Sequence, residues 1–169
     1  YMAITVGSEN HLGMGNHFMQ EGLAYRFTPF DTDKLDSKID SEKMYDNLMN
    51  KFKFGGIDKP GIYIDENVMR MCYTHRRVFA QLIEQLMKEG KKDKALAALD
   101  YAEKMIPAYN VPYDWQNGAV QMAEAYYQLG ETEKAEEQVE VRQESCIMPK
   151  KPAAGDWMLI AECIEKTEK

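Results

Sequence analysis

FAQLIEQLMKEGKKDKALAALDYAEKMIP, Phe79 to Pro107, and AVQMAEAYYQLGETEKAEEQVEVR, Ala119 to Arg142, are two versions of one pattern. With Gly90 laid over Gly130, an offset of 40 residues, Ala95 falls on Ala135, Leu86 on Tyr126 and Leu82 on Met122. In each copy a helix-period apolar stripe runs up to the glycine, and a second one follows it. Self-similarity at such a period marks a stack of helical hairpins, because one hairpin cannot bury its apolar face alone. The fold class expected is therefore mainly α.

Counted from Gly90, Phe79, Leu82 and Leu86 take the large sites of a first helix, while Ala95, Leu99, Ala102 and Pro107 take the alanine, bulky, alanine and proline sites of a second. This order resembles the tetratricopeptide repeat. The second copy places Ala123, Tyr126, Gly130 and Ala135 in phase but has Arg142 at an alanine site. The period of 40 exceeds that repeat's usual length of about 34, and AYNVPYD, Ala108 to Asp114, supplies an inserted connection. Hairpins are expected at about 65–107 and 113–144, with a closing helix at about 155–166 built on Trp157, Ile160, Ala161 and Ile164.

A chain of 169 residues holds one domain with a real core or two small units. No apolar run is long enough to span a bilayer. The opening YMAITVG lacks the features of a signal peptide, and its first residue, Tyr1, suggests a piece of a longer protein. A formal charge of −7 argues against a nucleic-acid partner, since neutralising phosphates needs an excess of Lys and Arg. Cys72, Cys146 and Cys163 are odd in number and lack any CxxC, so neither a disulfide framework nor a zinc site is expected.

Residues 1–40 read as a small α/β segment with a charged linker, and 41–169 as the helical repeat domain. Residues 2–6 have the β-branched character of a short buried strand, and Leu23, Tyr25 and Phe27 alternate as a second one before Pro29. A short helical stretch from Phe18 to Gly22 would lie between them, and so long a connection favours parallel pairing. Asp31, Asp33 and Glu42 fit the ends of a calcium loop. Leu35 stands where it needs a ligand and Asp36 where it needs glycine, so the stretch reads as a linker leading to a helix capped at Asp40 or Ser41. That helix would run from Glu42 to Phe54 on Met44, Leu48, Met49 and Phe52. After the Lys59-Pro60-Gly61 turn, Asp65 caps a long helix whose stripe is Met69, Cys72, Phe79, Leu82, Ile83 and Leu86.

No nucleotide loop, nucleophile elbow or metal-spaced histidine pair is present, so no catalytic residue, metal or cofactor is assigned. The candidate binding residues are aromatics on or around the inserted connection: Tyr101, Tyr109, Tyr113, Trp115 and Tyr127. Placed on a concave face, they would grip an extended peptide or a sugar.

EGLAYRFTPF, MYDNLMNKFKFGG, KPGIYIDENVMRMC and YNVPYD together resemble the C-terminal region of a bacterial membrane-protein family, domain of unknown function 2723, over Tyr1 to about Gly130. That family is similar to the protein O-mannosyltransferase type of glycosyltransferase. The resemblance implies a catalytic membrane half followed by a soluble, inner-membrane-associated periplasmic domain. Tyr45, Asp46, Asp65, Glu66, Arg70 and Tyr113 match its motifs, and no catalytic residue carries over. The expected function is a non-catalytic docking domain whose partner is a polypeptide or the membrane half of its own chain. The alternative is a contribution to the enzyme's sugar-donor or acceptor site through His11, His17 and Glu21.

Overall fold

The computed structural model describes residues 1–113 and 117–136, and the account below concerns these. The chain is mainly helical, with a small three-stranded antiparallel sheet at its N-terminus. The strands are β1 (Met2–Ala3), β2 (Phe18–Gln20) and β3 (Ala24–Phe27), in the order β1-β3-β2. The helices are α1 (Ser41–Asp46), α2 (Glu66–Lys88), α3 (Lys92–Met105) and α4 (Ala119–Leu129), and residues 132–136 are again helical. Trp115, Arg142, Cys146, Cys163 and the expected closing helix at 155–166 lie outside the described residues.

The N-terminal segment corrects three expectations. Phe18–Gln20 is strand, not helix; the pairing is antiparallel, not parallel; and the first strand is two residues long and only partly covered. One turn accounts for this. Gly22 sits at φ 126°, and Glu21 N–H bonds the Ala24 carbonyl at 3.0 Å. The chain therefore reverses within three residues, and β2 pairs directly with β3, Phe18 opposite Phe27 and Gln20 opposite Tyr25. With no crossover to make, sequence separation no longer argues for parallel strands.

The charged stretch 31–42 is packed rather than free. Asp31 caps a tight turn over Thr32–Lys34, Thr32 is fully buried, and its hydroxyl donates to the Asn16 carbonyl at 2.9 Å. Its end docks on the open edge of β2 through Gln20 N–H to Lys38 O (2.8 Å) and Asp40 N–H to Gln20 O (3.0 Å). Asp40 caps α1, as expected, by accepting from Lys43 N–H. The helix then widens into a π-type turn over Asn47–Lys51 and stops at Phe52, short of the expected Phe54. That early stop leaves Phe54 beyond the helix, where it stacks on Phe79 at 6.1 Å and is buried.

Asp65 caps α2, with its carboxylate accepting from Asn67 and Val68 N–H. The stripe Cys72, Phe79, Leu82, Ile83 and Leu86 is buried against α3 and α4. Gly90 and Gly130 end α2 and α4 alike, at φ 72° and 86°. Lys91 N–H bonds Leu86 O at 2.9 Å as Glu131 N–H bonds Tyr126 O at 3.0 Å, and both glycine N–H groups bond the carbonyl three residues back at 3.0 Å. Burial keeps the same phase at Leu82 and Met122, Leu86 and Tyr126, and Ala95 and Ala135.

Gly118, at φ 91°, brings the start of α4 onto α2: a Cβ there would lie 2.7 Å from Ala80 Cβ and 3.3 Å from Arg77 Cα. Gly90 has open space around it. Gly90→Ala is expected to cost about 1 kcal/mol, from left-handed strain alone. Gly118→Ala adds overpacking of about 2 kcal/mol. Urea unfolding of the two variants measures the difference, and equal losses would disprove the close contact.

Glu42 holds α1 to the start of α3 by accepting from Lys91 at 2.7 Å and Lys94 at 2.6 Å. These hydrogen bonds, Lys91's first, pull its carboxyl from 4.5 down to about 2. A carboxylate depressed in the folded state stabilises above its unfolded value and loses that contribution as pH falls through its folded one. Stability should therefore drop between pH 4.5 and about 2 more steeply than in Glu42→Gln. The pair is exposed, so the difference should shrink in high salt.

Candidate functional site

The structure disperses the aromatic residues singled out from the sequence. Tyr101 on α3 is half-buried and packs its ring against the core residues Phe54 and Phe79 at 6.1 and 6.2 Å. Tyr127 on α4 is half-buried against the same core. Tyr109 is well exposed, and its hydroxyl donates to Asp58 O at 2.5 Å, while the Asn110 amide donates to Ile57 O and Lys59 O. These two residues clip the connection to the 57–59 turn. Tyr113 donates its hydroxyl to Glu103 and lies with its ring 4.9 Å from the Arg76 guanidinium.

Sequence reasoning missed Arg76, which is only 1% exposed in the middle of α2. Its guanidinium donates to Ile106 O at 2.9 Å, Val111 O at 2.7 Å and Pro112 O at 2.9 Å. Burial pushes its pKa down, and the negative charge of Glu103 opposes that shift. Tyr126 is the reverse case: burial first, then Glu103 and Asp100, raise its phenol, which donates to Asp100 at 3.1 Å. Arg76 thus anchors the inserted connection to α2 and is not offered to a ligand.

The histidines are also engaged within the fold. His11 Nε2 lies 3.2 Å from Val6 O and His17 Nδ1 lies 3.0 Å from Phe30 O. Glu21 is buried, paired with Arg26 and accepting from Tyr1 Oη at 3.1 Å. Among the described residues no group of three His, Cys, Asp or Glu side chains is placed to hold a metal ion. None of the helices described there is long and apolar enough to cross a membrane.

Two clefts flank α2. One, of about 570 Å³, runs between α2 and α4 and is lined by Glu84, Met87, Lys88, Gln121, Glu124 and Gln128. The other, of about 490 Å³, lies between α2 and the sheet. The α2–α4 groove has a regularity that the core does not require. Glu84 of α2 recurs 40 residues on as Glu124 of α4, and Lys88 has Gln128 in the same phase, whereas Gln81, the counterpart of the groove residue Gln121, lines the cleft on the sheet side of α2. Both rows sit on the polar side of their helices, where one turn is tied by an i,i+4 bond: Lys88 to Glu84 at 2.7 Å, Gln128 to Glu124 at 3.1 Å. The signal was present in the sequence as Gln-x-x-Glu in the same phase as the buried stripe.

Chemically, the groove offers amide and carboxylate groups in a repeated row. It can form hydrogen bonds to a partner, and it contains no nucleophile paired with a base. No family model, no curated protein and no solved structure matches the chain.

Removing the Arg76 donors strands the buried carbonyls of Ile106 and Val111 and frees that of Pro112. Arg76→Met is expected to cost about 3–5 kcal/mol, the range for stripping a buried charged group from its partners. Arg76→Lys should recover only part, because one ammonium cannot span three carbonyls in a fork. Denaturant unfolding and amide exchange at the start of α4 would measure both. A loss under about 1 kcal/mol would mean that water replaces the guanidinium.

Proposed function

We infer that this chain is a non-catalytic docking domain that binds an extended polypeptide across the polar faces of α2 and α4, with tetratricopeptide-like hairpins as its scaffold. The observation that carries the reading is the groove lined by Glu84 and Lys88 on one side and, 40 residues on in the same helical phase, by Glu124 and Gln128 with Gln121 on the other. Core positions repeat because packing demands it, whereas a repeated solvent-facing row suits a ligand that is itself periodic. An extended backbone is such a ligand, and side-chain amides can both donate to and accept from it. The matched turns at Gly90 and Gly130 support the repeat scaffold.

The resemblance of EGLAYRFTPF, MYDNLMNKFKFGG, KPGIYIDENVMRMC and YNVPYD to the glycosyltransferase-like membrane family places this domain, as a proposal, beside a catalytic membrane half on the periplasmic side. The polypeptide would then be an acceptor protein or a segment of that half. A catalytic role through His11, His17 and Glu21 is the weaker reading, since each of these side chains already has a partner inside the fold.

The test is selection of displayed peptides of about ten residues, long enough to cross both helices. Calorimetry then compares the full chain with a Gln121→Ala/Glu124→Ala/Gln128→Ala variant. These are surface helix positions where alanine is well tolerated, so the fold should survive. Affinity is expected to fall at least about tenfold. Failure to select any peptide, or unchanged affinity in the variant, would overturn the docking role.

A further inference from the structure

The cleft between α2 and the sheet, about 490 Å³, is not used by the groove just described. Its floor is aromatic: the His11 ring meets Phe18 at 5.2 Å and Tyr25 at 6.1 Å, and Phe18 and Tyr25 are 6.0 Å apart. Its wall carries three amides, Gln20, Gln81 and Gln85. Gln20 is 6% exposed, and its Nε2 donates to Gly22 O at 3.2 Å and to Gln81 Oε1 at 2.9 Å. Those two bonds occupy Gln20 Nε2 and Gln81 Oε1, which leaves Gln20 Oε1 and Gln81 Nε2 for other partners. Among the described residues, Gln20 Oε1 accepts no hydrogen bond and Gln81 Nε2 donates none. Gln85 donates to Glu89 at 2.8 Å, which leaves its Oε1 as a second acceptor.

A buried carbonyl oxygen without a donor is costly, and such groups are usually satisfied by a ligand or water. The charges lining the cleft cancel, Lys38 and Lys88 against Asp36 and Glu84, so a charged ligand gains no net attraction. What the three amides present is free N–H on Gln81 and Gln85 beside two free acceptor oxygens, on Gln20 and Gln85. A primary carboxamide has the complementary groups: an oxygen able to accept from Gln81 Nε2, and two N–H hydrogens able to donate to Gln20 Oε1 and Gln85 Oε1. Its aliphatic stem fits the aromatic floor.

We propose that this cleft is an anchor pocket for an Asn or Gln side chain of the polypeptide that docks between α2 and α4. The two clefts share Glu84 and Lys88, so one chain crossing α2 reaches both. The proposal rests on the docking reading but is tested separately from it.

The experiment follows the Gln side-chain NH2 resonances of the full chain by NMR during titration with acetyl-Ala-Gln-Ala N-methylamide. The same peptides with Glu or Met in the middle, and cellobiose, serve as comparison probes. The Gln peptide is expected to move the Gln20 and Gln81 signals and to bind about tenfold more tightly than the Glu and Met peptides. Gln81→Ala should abolish that preference, and Gln85→Ala, which leaves the bond to Gln20 untouched, should weaken it. Equal binding of the three peptides, silent Gln20 and Gln81 signals, or a response to cellobiose alone would overturn the proposal. If that happens while α4 variants still lose the selected peptide, the anchor falls and the docking role stands. Carboxamide binding in the cleft with α4 variants unaffected would remove the docking role instead.

Discussion

The position of α4 depends on one buried cation. α3 ends at Met105, and the backbone that follows turns back over α2 with Val111 fully buried, so its carbonyls cannot all reach water. Arg76 supplies the missing donors to Ile106, Val111 and Pro112 from a single planar group. Only arginine offers so many donors in a rigid fork. Its own charge is compensated nearby by Glu103 and by the face of Tyr113, whose hydroxyl holds that carboxylate in place. Tyr113, a residue chosen from the sequence as a ligand contact, is thus part of the clamp.

With the connection fixed in this way, Gly118 can press onto Ala80 and Arg77, and α4 settles beside α2 and α3. A period of 40 then becomes intelligible. Residues 106–113 pack as a strap between α3 and α4, held by Arg76 through the carbonyls of Ile106, Val111 and Pro112 and, between those points, by Tyr109 and Asn110 on the 57–59 turn. The strap sets how far apart α2 and α4 stand, and hence that there is a groove between them.

The sequence was legible where a single local rule decided the outcome. Asp40 and Asp65 cap helices, Gly90 and Gly130 close them, and the α2 stripe is buried, because capping, left-handed backbone and helix-period burial depend on near neighbours. It was illegible where partners come from afar. Phe18–Gln20 became a strand because β3 and Ile39 flank it, neither of which a local window weighs. Arg76 reads as one more polar residue until the strap supplies its acceptors. The aromatics were recognised as important, but ring chemistry alone does not distinguish the half-buried position of Tyr101 from the exposed one of Tyr109.

The same distinction bears on the surface row. Its likeness from α2 to α4 is close but not complete, and the difference is one charge. Glu84 is neutralised by Lys88, whereas Glu124 meets Gln128 and, among the described residues, no lysine or arginine. In the proposed docking, a chain crossing the groove would pass from a neutral row on α2 to an acidic row on α4. Two identical rows would accept an extended segment in either direction, since backbone hydrogen bonding alone is nearly symmetric. The single change from Lys88 to Gln128 breaks that symmetry and gives the groove a polarity, favouring the direction that brings a basic side chain to Glu124.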